Sequence, residues 1–295
     1  MRPSLFHGLS AALIALTLAG CATRSAPPQR QAQRPSSGDV AVGLAGQASA
    51  FEAYTRRAAA IDPAFANPTE IGQRLLTGAG YEPRQLEAGM IAYAALAAMQ
   101  EPGFVAAVRA DRGAARRIAA DPNAALGLPG ANAAAARANA ALARRGEALA
   151  DAGQRVRKAS YSVQHQAWSR ARVPNAAQRL AAVKQAAGYR AEPADRARLS
   201  AAIAEGGRRG GASPVVARGV AVAALTVLGQ DGAARALMQE PKSGQCLRLA
   251  KLNYHQCLAA AGTHYEDIYC LGVHAMADPG RCVVEATRQT RRAGL

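Results

Sequence analysis

The sequence predicts an all-α protein, with a multi-helix, orthogonal or bundle-like body and a C-terminal disulfide-linked helical hairpin. Alanine fills 76 of the 295 positions, and arginine outnumbers lysine 32 to 4. Alanine and arginine are both good helix formers. No stretch of the body alternates β-branched or aromatic residues with polar ones, as half-buried strands do. Aromatic residues make up only 4% of the chain, and this composition suits helices rather than sheets.

The first helices are delimited by prolines and glycines. Residues 45–60 form one helix, which stops at a following Asp-Pro pair. Residues 67–80 form the next, with Asn67 as its N-cap and Pro68 at its first helical position. Residues 83–99 are apolar on most sides, which predicts a central core helix.

A long helix is predicted from residue 131 to about residue 172. Large side chains recur on it every seven residues, at Leu142, Leu149, Val156 and Val163, and small residues follow four positions after each, at Gly146, Gly153, Ser160 and Ala167. A strict seven-residue repeat favours left-handed packing against a close neighbour. The 142–167 face is either a self-association seam or the contact of an internal helical hairpin, and the size of the chain favours the internal contact.

Helices at about 174–187 and 193–205 follow, and the sequence GGRRGGA reads as a linker. The body is therefore divided into a helical domain at 45–205, the linker at 206–212 and a helical subdomain at 213–295. Ser213 and Pro214 start an apolar run of about fourteen residues, which is too short to cross a membrane. It therefore predicts a core helix.

Four of the five cysteines lie between residues 246 and 282. Cys246 and Cys257 are eleven residues apart, about 16 Å along a helix. A disulfide needs Cα atoms within about 7 Å, so these two cannot pair with each other. The nested pairs Cys246–Cys282 and Cys257–Cys270 share a midpoint close to residue 264, where a turn would bring both pairs together.

The residues at that midpoint are turn and capping residues. Gly262 ends one helix, and Thr263 with Glu266 forms a capping box for the next. The Asp-Pro-Gly sequence at 278–280 is expected to break the second helix and turn Cys282 toward its partner. We therefore predict a hairpin over 246–282 closed by two disulfides, each contributing about 2–4 kcal/mol. Its plan is similar to the twin-cysteine hairpins of the coiled-coil-helix class, although the spacings differ.

Two kinds of chemistry compete with this structural interpretation. A metal site could combine the cysteines with His255, His264 and His274, although the spacing of zinc ligands is only partly present. The sequence contains no C-x-x-C motif, so nothing in it points to redox catalysis. The sequence therefore predicts no metal ligand, no cofactor and no cofactor-binding residue.

Catalytic residues are equally hard to find. The sequence HYED at 264–267 could supply an acid and a base, but neighbouring residues on a helix do not face one object. Ser162 and His165 could contact each other, yet no acid lies nearby to orient the histidine. Trp168 is interpreted as a core anchor. We predict no catalytic residue.

The N-terminal residues read as an export signal. Arg2 precedes an apolar run at 11–19 that is too short to span a bilayer. The following Leu-Ala-Gly-Cys, which ends at Cys21, resembles the lipobox of bacterial lipoproteins. The resemblance implies removal of residues 1–20 and acylation of Cys21. In this family an Asp directly after the lipidated cysteine is the signal for retention in the inner membrane. This chain has Ala22 at that position, so the resemblance implies that the protein is sorted to the outer membrane.

Residues 21–44 are rich in Pro, Gln, Ser and Arg, which predicts lipid attachment followed by a flexible tether. Removing the signal takes Arg2 with it and lowers the net charge from +16 to +15. Such a charge favours anionic components of the envelope in general. No zinc-finger, RNP or helix-turn-helix pattern accompanies it, so nucleic acid is not expected as a partner.

The function predicted from the sequence is that of a membrane-anchored periplasmic lipoprotein, a helical scaffold or interaction module of the cell envelope. One alternative is an envelope enzyme that acts on cell wall or lipid through a site assembled from distant residues. A lesser alternative is a metal-binding protein that uses the cysteines and histidines of the hairpin.

Overall fold

The computed structural model describes residues 37–189 and 192–288, with side chains from residue 43 onward. These residues form fourteen α-helices, one 3₁₀ turn and one π-helical segment, without a strand. The predicted all-α class is confirmed. The described residues all belong to one compact unit.

The helix α1 spans Ser37–Ala59 and begins earlier than the sequence predicts. Residues 37–44, which the sequence predicts as part of the tether, are helical, and Leu44 is buried. Burial of this side chain against the core explains why the helix extends beyond the predicted start. The other tether residues, together with Cys21, lie outside the described residues.

The next two helices match their predicted signals. Helix α2 spans Pro68–Ala79, and the Asn67 side chain accepts a hydrogen bond of 3.2 Å from the Glu70 N–H. Helix α3 spans Pro83–Ala98 and is buried along most of its length. It contacts α1 and several later helices, as a central core helix should.

Two short helices and a turn lead into the long helix. They are α4 at Pro102–Ala110, α5 at Ala114–Ala120 and the 3₁₀ turn at Pro122–Gly127. Helix α6 then spans Ala131–Val163, so the prediction of a helix to residue 172 was too long. The Ser169 hydroxyl donates a hydrogen bond to the Val163 carbonyl. That bond satisfies a carbonyl at the helix end, and α7 follows as a separate turn at Ala167–Arg170.

Helices α8 at Ala176–Gln185 and α9 at Pro193–Ala204 are close to their predicted ranges. Residues 206–212 then lie along α6. The Arg209 N–H donates to the Ala136 carbonyl at 3.0 Å, and the Asn139 side chain donates to the Gly211 carbonyl at 2.9 Å.

Helix α10 spans Pro214–Val227 and is almost wholly buried. The Ser213 hydroxyl caps it by accepting a hydrogen bond of 3.2 Å from the Val216 N–H. Helix α11 follows at Asp231–Ala236.

The C-terminal hairpin has the predicted disulfides. Helix α12 spans Pro241–Ala260, and the returning arm consists of α13 at His264–Cys270, a π-helical segment at Leu271–Ala277 and α14 at Asp278–Ala286. The Cα atoms are 5.8 Å apart in Cys246–Cys282 and 5.6 Å apart in Cys257–Cys270. Both distances are ordinary for disulfides.

The predicted break at residues 278–280 was wrong, because helical structure continues through them to Ala286. Cys270 and Cys282 are twelve residues apart, which in a regular α-helix would leave them about 120° apart around the axis. The wider π turns advance each residue by a smaller angle, and this brings Cys282 round to α12. Pro279 lies where the π segment passes into α14.

The seven-residue face of α6 packs inside the molecule against this returning arm. Leu142, Leu149 and Val156 are fully buried. A Cβ on Gly153 would lie 2.4 Å from the backbone nitrogen of Ala277, and one on Gly146 would lie 3.0 Å from the Gly280 carbonyl oxygen. The internal contact is therefore the alternative that the fold uses. Ala167, the last predicted member of this face, lies in α7 and is exposed.

No single helix within the described ranges is long and apolar enough to span a membrane. Helices α3 and α4 pass that test of length and composition only as a pair, bent by 91°.

Candidate functional site

In the structure, the two acidic residues of the HYED sequence at 264–267 have different contacts. The Glu266 carboxylate accepts hydrogen bonds from the N–H groups of Gly262 (2.7 Å) and Thr263 (2.9 Å), as the predicted cap requires. Asp267 is buried and forms an ion pair with Arg179. Burial raises the pKa of Asp267 to about 6, although Arg179 acts in the opposite direction. The two carboxylates therefore serve different contacts and do not form an acid–base pair.

The second catalytic candidate is an exposed pair at the end of α6. The Ser162 hydroxyl donates to the Lys158 carbonyl at 3.3 Å, within its own helix. His165 lies just beyond the helix, and both side chains are exposed. Trp168 is partly buried against the core, consistent with an anchor. The geometry gives this pair no role as nucleophile and base.

The four cysteines of the proposed metal site are all joined in disulfides, so their sulfur atoms are not available as thiolate ligands. Among the residues that the structure describes, no group of three His, Cys, Asp or Glu side chains could hold a metal ion. His274 Nδ1 instead lies 2.7 Å from Asp278 Oδ2, and the other carboxylate oxygen of Asp278 accepts a hydrogen bond from Arg281. Burial lowers the pKa of His255, with further lowering by nearby Lys251 and Lys184.

The strongest candidate site is a cleft beside the Cys257–Cys270 disulfide, which we name the tyrosine cleft. Its volume is about 340 Å³. It lies where the ends of α6 and α12 meet α13. Its lining residues are Ser160, Tyr161, Gln164, Cys257, Ala260, Ala261, Tyr265, Glu266, Tyr269 and Cys270.

Local structure explains how the tyrosines come together. Tyr265 and Tyr269 are four residues apart on one helical stretch and share a face. Tyr161 reaches them from α6, and its ring lies edge-on to that of Tyr269 with centroids 6.2 Å apart. The Cys257–Cys270 disulfide joins the α12 wall to the α13 wall. The cleft is therefore built from regular helices and a covalent link.

The other tyrosines have structural roles. Four of the eight in the chain are fully or almost fully buried, at Tyr54, Tyr81, Tyr93 and Tyr254. Tyr189 donates its hydroxyl hydrogen to Asp195. By contrast, Tyr161 is 52% exposed. The remaining three tyrosines thus gather at one surface site.

A larger cleft, of about 420 Å³, lies at the other disulfide. Pro214, Val215 and Ala286 contribute apolar surface, while Glu240, Lys242, Glu285 and Arg288 bring charges of both signs. This mixed lining indicates no particular ligand chemistry.

Sequence reasoning did not identify the tyrosine cleft. Its one local signal is the pair Tyr265 and Tyr269, four residues apart in a chain poor in aromatic residues. The third wall comes from α6, about a hundred positions away in the sequence. Compared with protein-family models, with curated proteins and with solved structures, the chain matches none of them.

Proposed function

We propose that this chain is a bacterial lipoprotein anchored in the outer membrane through acyl chains at Cys21, with its helical body in the periplasm as an interaction module. The observation that carries the proposal is the pair of disulfides inside the C-terminal hairpin. Disulfides persist outside the cytoplasm and are rare within it. The lipobox-like residues 18–21 indicate the same export independently, since they lie at the opposite end of the sequence.

An interaction role is supported by the kind of surface that the tyrosine cleft presents. Tyrosine is enriched at protein interfaces because its ring buries a large apolar area while its hydroxyl stays hydrated. The walls of the cleft are held by a disulfide and a capped helix, so little order would have to be gained on binding. The positive net charge adds a diffuse attraction to anionic lipids and cell-wall polymers.

Labelling of the full chain in a Gram-negative host tests the anchor. We expect an alkyne-tagged palmitate analogue to label the protein and the labelled protein to fractionate with the outer membrane. Cys21→Ser should abolish the label and release the body from the membrane. Ala22→Asp is the matched variant that keeps the label, and it should move the protein to the inner membrane.

Titration of free thiols in the denatured, unreduced mature protein tests the compartment. Acylated Cys21 and the two disulfides should leave no reactive thiol, and reduction should reveal four. An unprocessed, unacylated amino terminus in the soluble cytosolic fraction, or four reactive thiols before reduction, would contradict the proposal.

A further inference from the structure

We propose that the tyrosine cleft binds a proline-rich segment of a partner protein, with an arginine or lysine of that segment placed against Glu266. This inference rests on the proposed role as an interaction module and specifies the chemistry of the partner. It follows from the shape of the cleft, its aromatic surface and its one acidic side chain.

The form of the cleft selects among the ways in which peptides are recognised. Addition of a peptide strand needs an exposed sheet edge, and the described residues contain no strand. Docking of an amphipathic helix needs a long apolar groove with contacts over several turns. The tyrosine cleft has a volume of about 340 Å³ and lies where the ends of α6 and α12 meet α13, a helix of only seven residues. A compact aromatic groove instead fits the polyproline II mode.

Aromatic side chains suit this mode for a physical reason. A polyproline II segment has no internal hydrogen bonds and is already extended before binding, so it loses little conformational entropy. Such a segment is therefore recognised mainly through apolar contacts with its proline rings, and less through hydrogen bonds to its backbone. Tyr161 and Tyr269 meet edge to face and both line the cleft, so their rings offer apolar surface to proline rings and their hydroxyls can bind peptide carbonyls.

The acidic side chain gives the cleft its charge preference. Both backbone donors, from Gly262 and Thr263, bind Oε2 of Glu266, so neither occupies Oε1. Burial acts to raise the pKa of Glu266, but these donors outweigh it and the pKa is lowered. The side chain is therefore ionised at neutral pH. Among the described residues, Glu266 is the one charged residue in the lining, and it attracts a cation on an otherwise basic protein.

A fluorescently labelled peptide of three proline-proline-arginine repeats tests the inference against the full mature chain in detergent. We expect saturable binding, and we expect Tyr161→Ala and Tyr269→Ala each to weaken it about tenfold, as for a central aromatic contact. Leu249→Ala is the matched control, because Leu249 is 55% exposed and lies outside the cleft. It should leave binding unchanged.

Glu266→Gln separates the charge from the fold. The amide oxygen can still accept from the two N–H groups, so the helix should remain capped. Binding of the arginine peptide should fall several-fold, while binding of a proline-proline-glycine peptide should not change. Far-ultraviolet circular dichroism and the melting temperature check that each variant is folded.

Three results would overturn the inference. The first is equal binding of an alanine-alanine-arginine peptide, which would mean that charge alone is recognised. The second is equal binding by wild type and Tyr161→Ala. The third is absence of peptide binding together with Tyr161-dependent binding of a chitin hexasaccharide, which would assign the cleft to glycans. Because the assay measures peptide binding by the purified protein, whatever the acylation state of Cys21 or the membrane of origin, its failure is distinct from failure of the lipoprotein proposal.

Discussion

At the scale of single residues, the carboxylates of Glu52 and Asp195 are fully buried. Arg56 joins them, with its Nε 3.1 Å from Glu52 Oε1 and one terminal nitrogen 3.0 Å from Asp195 Oδ1. The Tyr189 hydroxyl also donates to Asp195. Burial acts to raise the pKa of Asp195, but its donors and arginines lower it overall. This network ties α9 to α1 across 139 positions of sequence.

Replacement of Asp195 tests the network. Asp195→Ala should lower the free energy of unfolding by about 3 kcal/mol, the lower end for a broken buried pair, because the arginines are partly exposed. Urea unfolding followed by circular dichroism measures the change. Asp111→Ala is the control, since Asp111 pairs with Arg117 and accepts a hydrogen bond from the Gly113 N–H at the surface, and its effect should be much smaller. Equal effects of the two substitutions would show that Asp195 is not a tie between helices.

A second buried charge lies at the end of α2. Lys251 is only 6% exposed, and its Nζ donates to the Ala79 carbonyl at 2.5 Å. The ammonium group also lies 4.6 Å from the centroid of the Tyr81 ring. A cation is favourable at the carbonyl end of a helix. Burial nevertheless lowers the pKa of Lys251 to about 8.

This pKa makes stability depend on pH in a defined direction. Between the folded pKa, about 8, and the unfolded pKa, about 10.4, the unfolded chain binds more protons at Lys251 than the folded chain does. The free energy of unfolding should therefore rise from pH 8 to about pH 10. Above that pH the buried tyrosines Tyr54 and Tyr254, whose pKa burial raises, oppose the rise.

Denaturant midpoints measured at intervals over this pH range provide the test, with Lys251→Met as the comparison. The rise should be absent in Lys251→Met. A rise of the same size in both proteins would assign it to another group.

At the scale of elements, the contact between α6 and the returning arm depends on glycine. A Cβ on Gly153 would meet the Gly272 carbonyl oxygen at 2.6 Å, and a Cβ on Gly272 would meet the backbone nitrogen of Arg157 at 2.5 Å. Since these neighbours are backbone atoms, they cannot rotate away. The two helices approach this closely only because both lack side chains at the contact.

Alanine substitutions at two helical glycines distinguish packing from helix propensity. Gly153→Ala should destabilise the protein by about 1–3 kcal/mol through overpacking, despite the better helix propensity of alanine. Gly72→Ala, in α2, has no atom within 4 Å of the added Cβ and should stabilise by about 0.5–1 kcal/mol. Thermal unfolding measures both, and a stabilised Gly153→Ala variant would refute the close contact.

At the scale of the whole molecule, the helices on the two sides of residues 206–212 share their packing. Helices α10 and α12 both contact α3, and α14 contacts α6. The linker itself is bonded to α6 through Arg209 and Gly211. Because helices before residue 206 pack against helices after residue 212, the structure indicates that the two parts unfold together rather than as separate domains.

Calorimetry of the body tests this coupling. We expect a single unfolding transition, with equal calorimetric and van't Hoff enthalpies. Limited proteolysis under native conditions should release no stable fragment that ends at residues 206–212. Two resolved transitions, or a protected fragment that begins near residue 213, would instead support two independently folding domains.

The parts of the fold that could be predicted are those with local causes. The caps at Asn67 and Ser213 depend on residues within one turn, and the sequence shows them directly. The disulfide pairing also followed from spacing, because a helix of known rise limits which cysteines can meet. The predicted break at 278–280 failed because a proline signal does not reveal whether the preceding turns are α or π.

The sequence by itself determined the helical class, the bounds of helices such as α2, α3 and α9, the cap at Glu266 and the pairing of the cysteines. All of these depend on hydrogen bonds and distances within one segment. The tertiary structure alone decided that the glycines of α6 face those of the returning arm, that Asp195 is buried against Arg56, and that Tyr161 completes the tyrosine cleft. These outcomes depend on which helix faces meet, and that is set by the packing of the whole core rather than by any one stretch of residues.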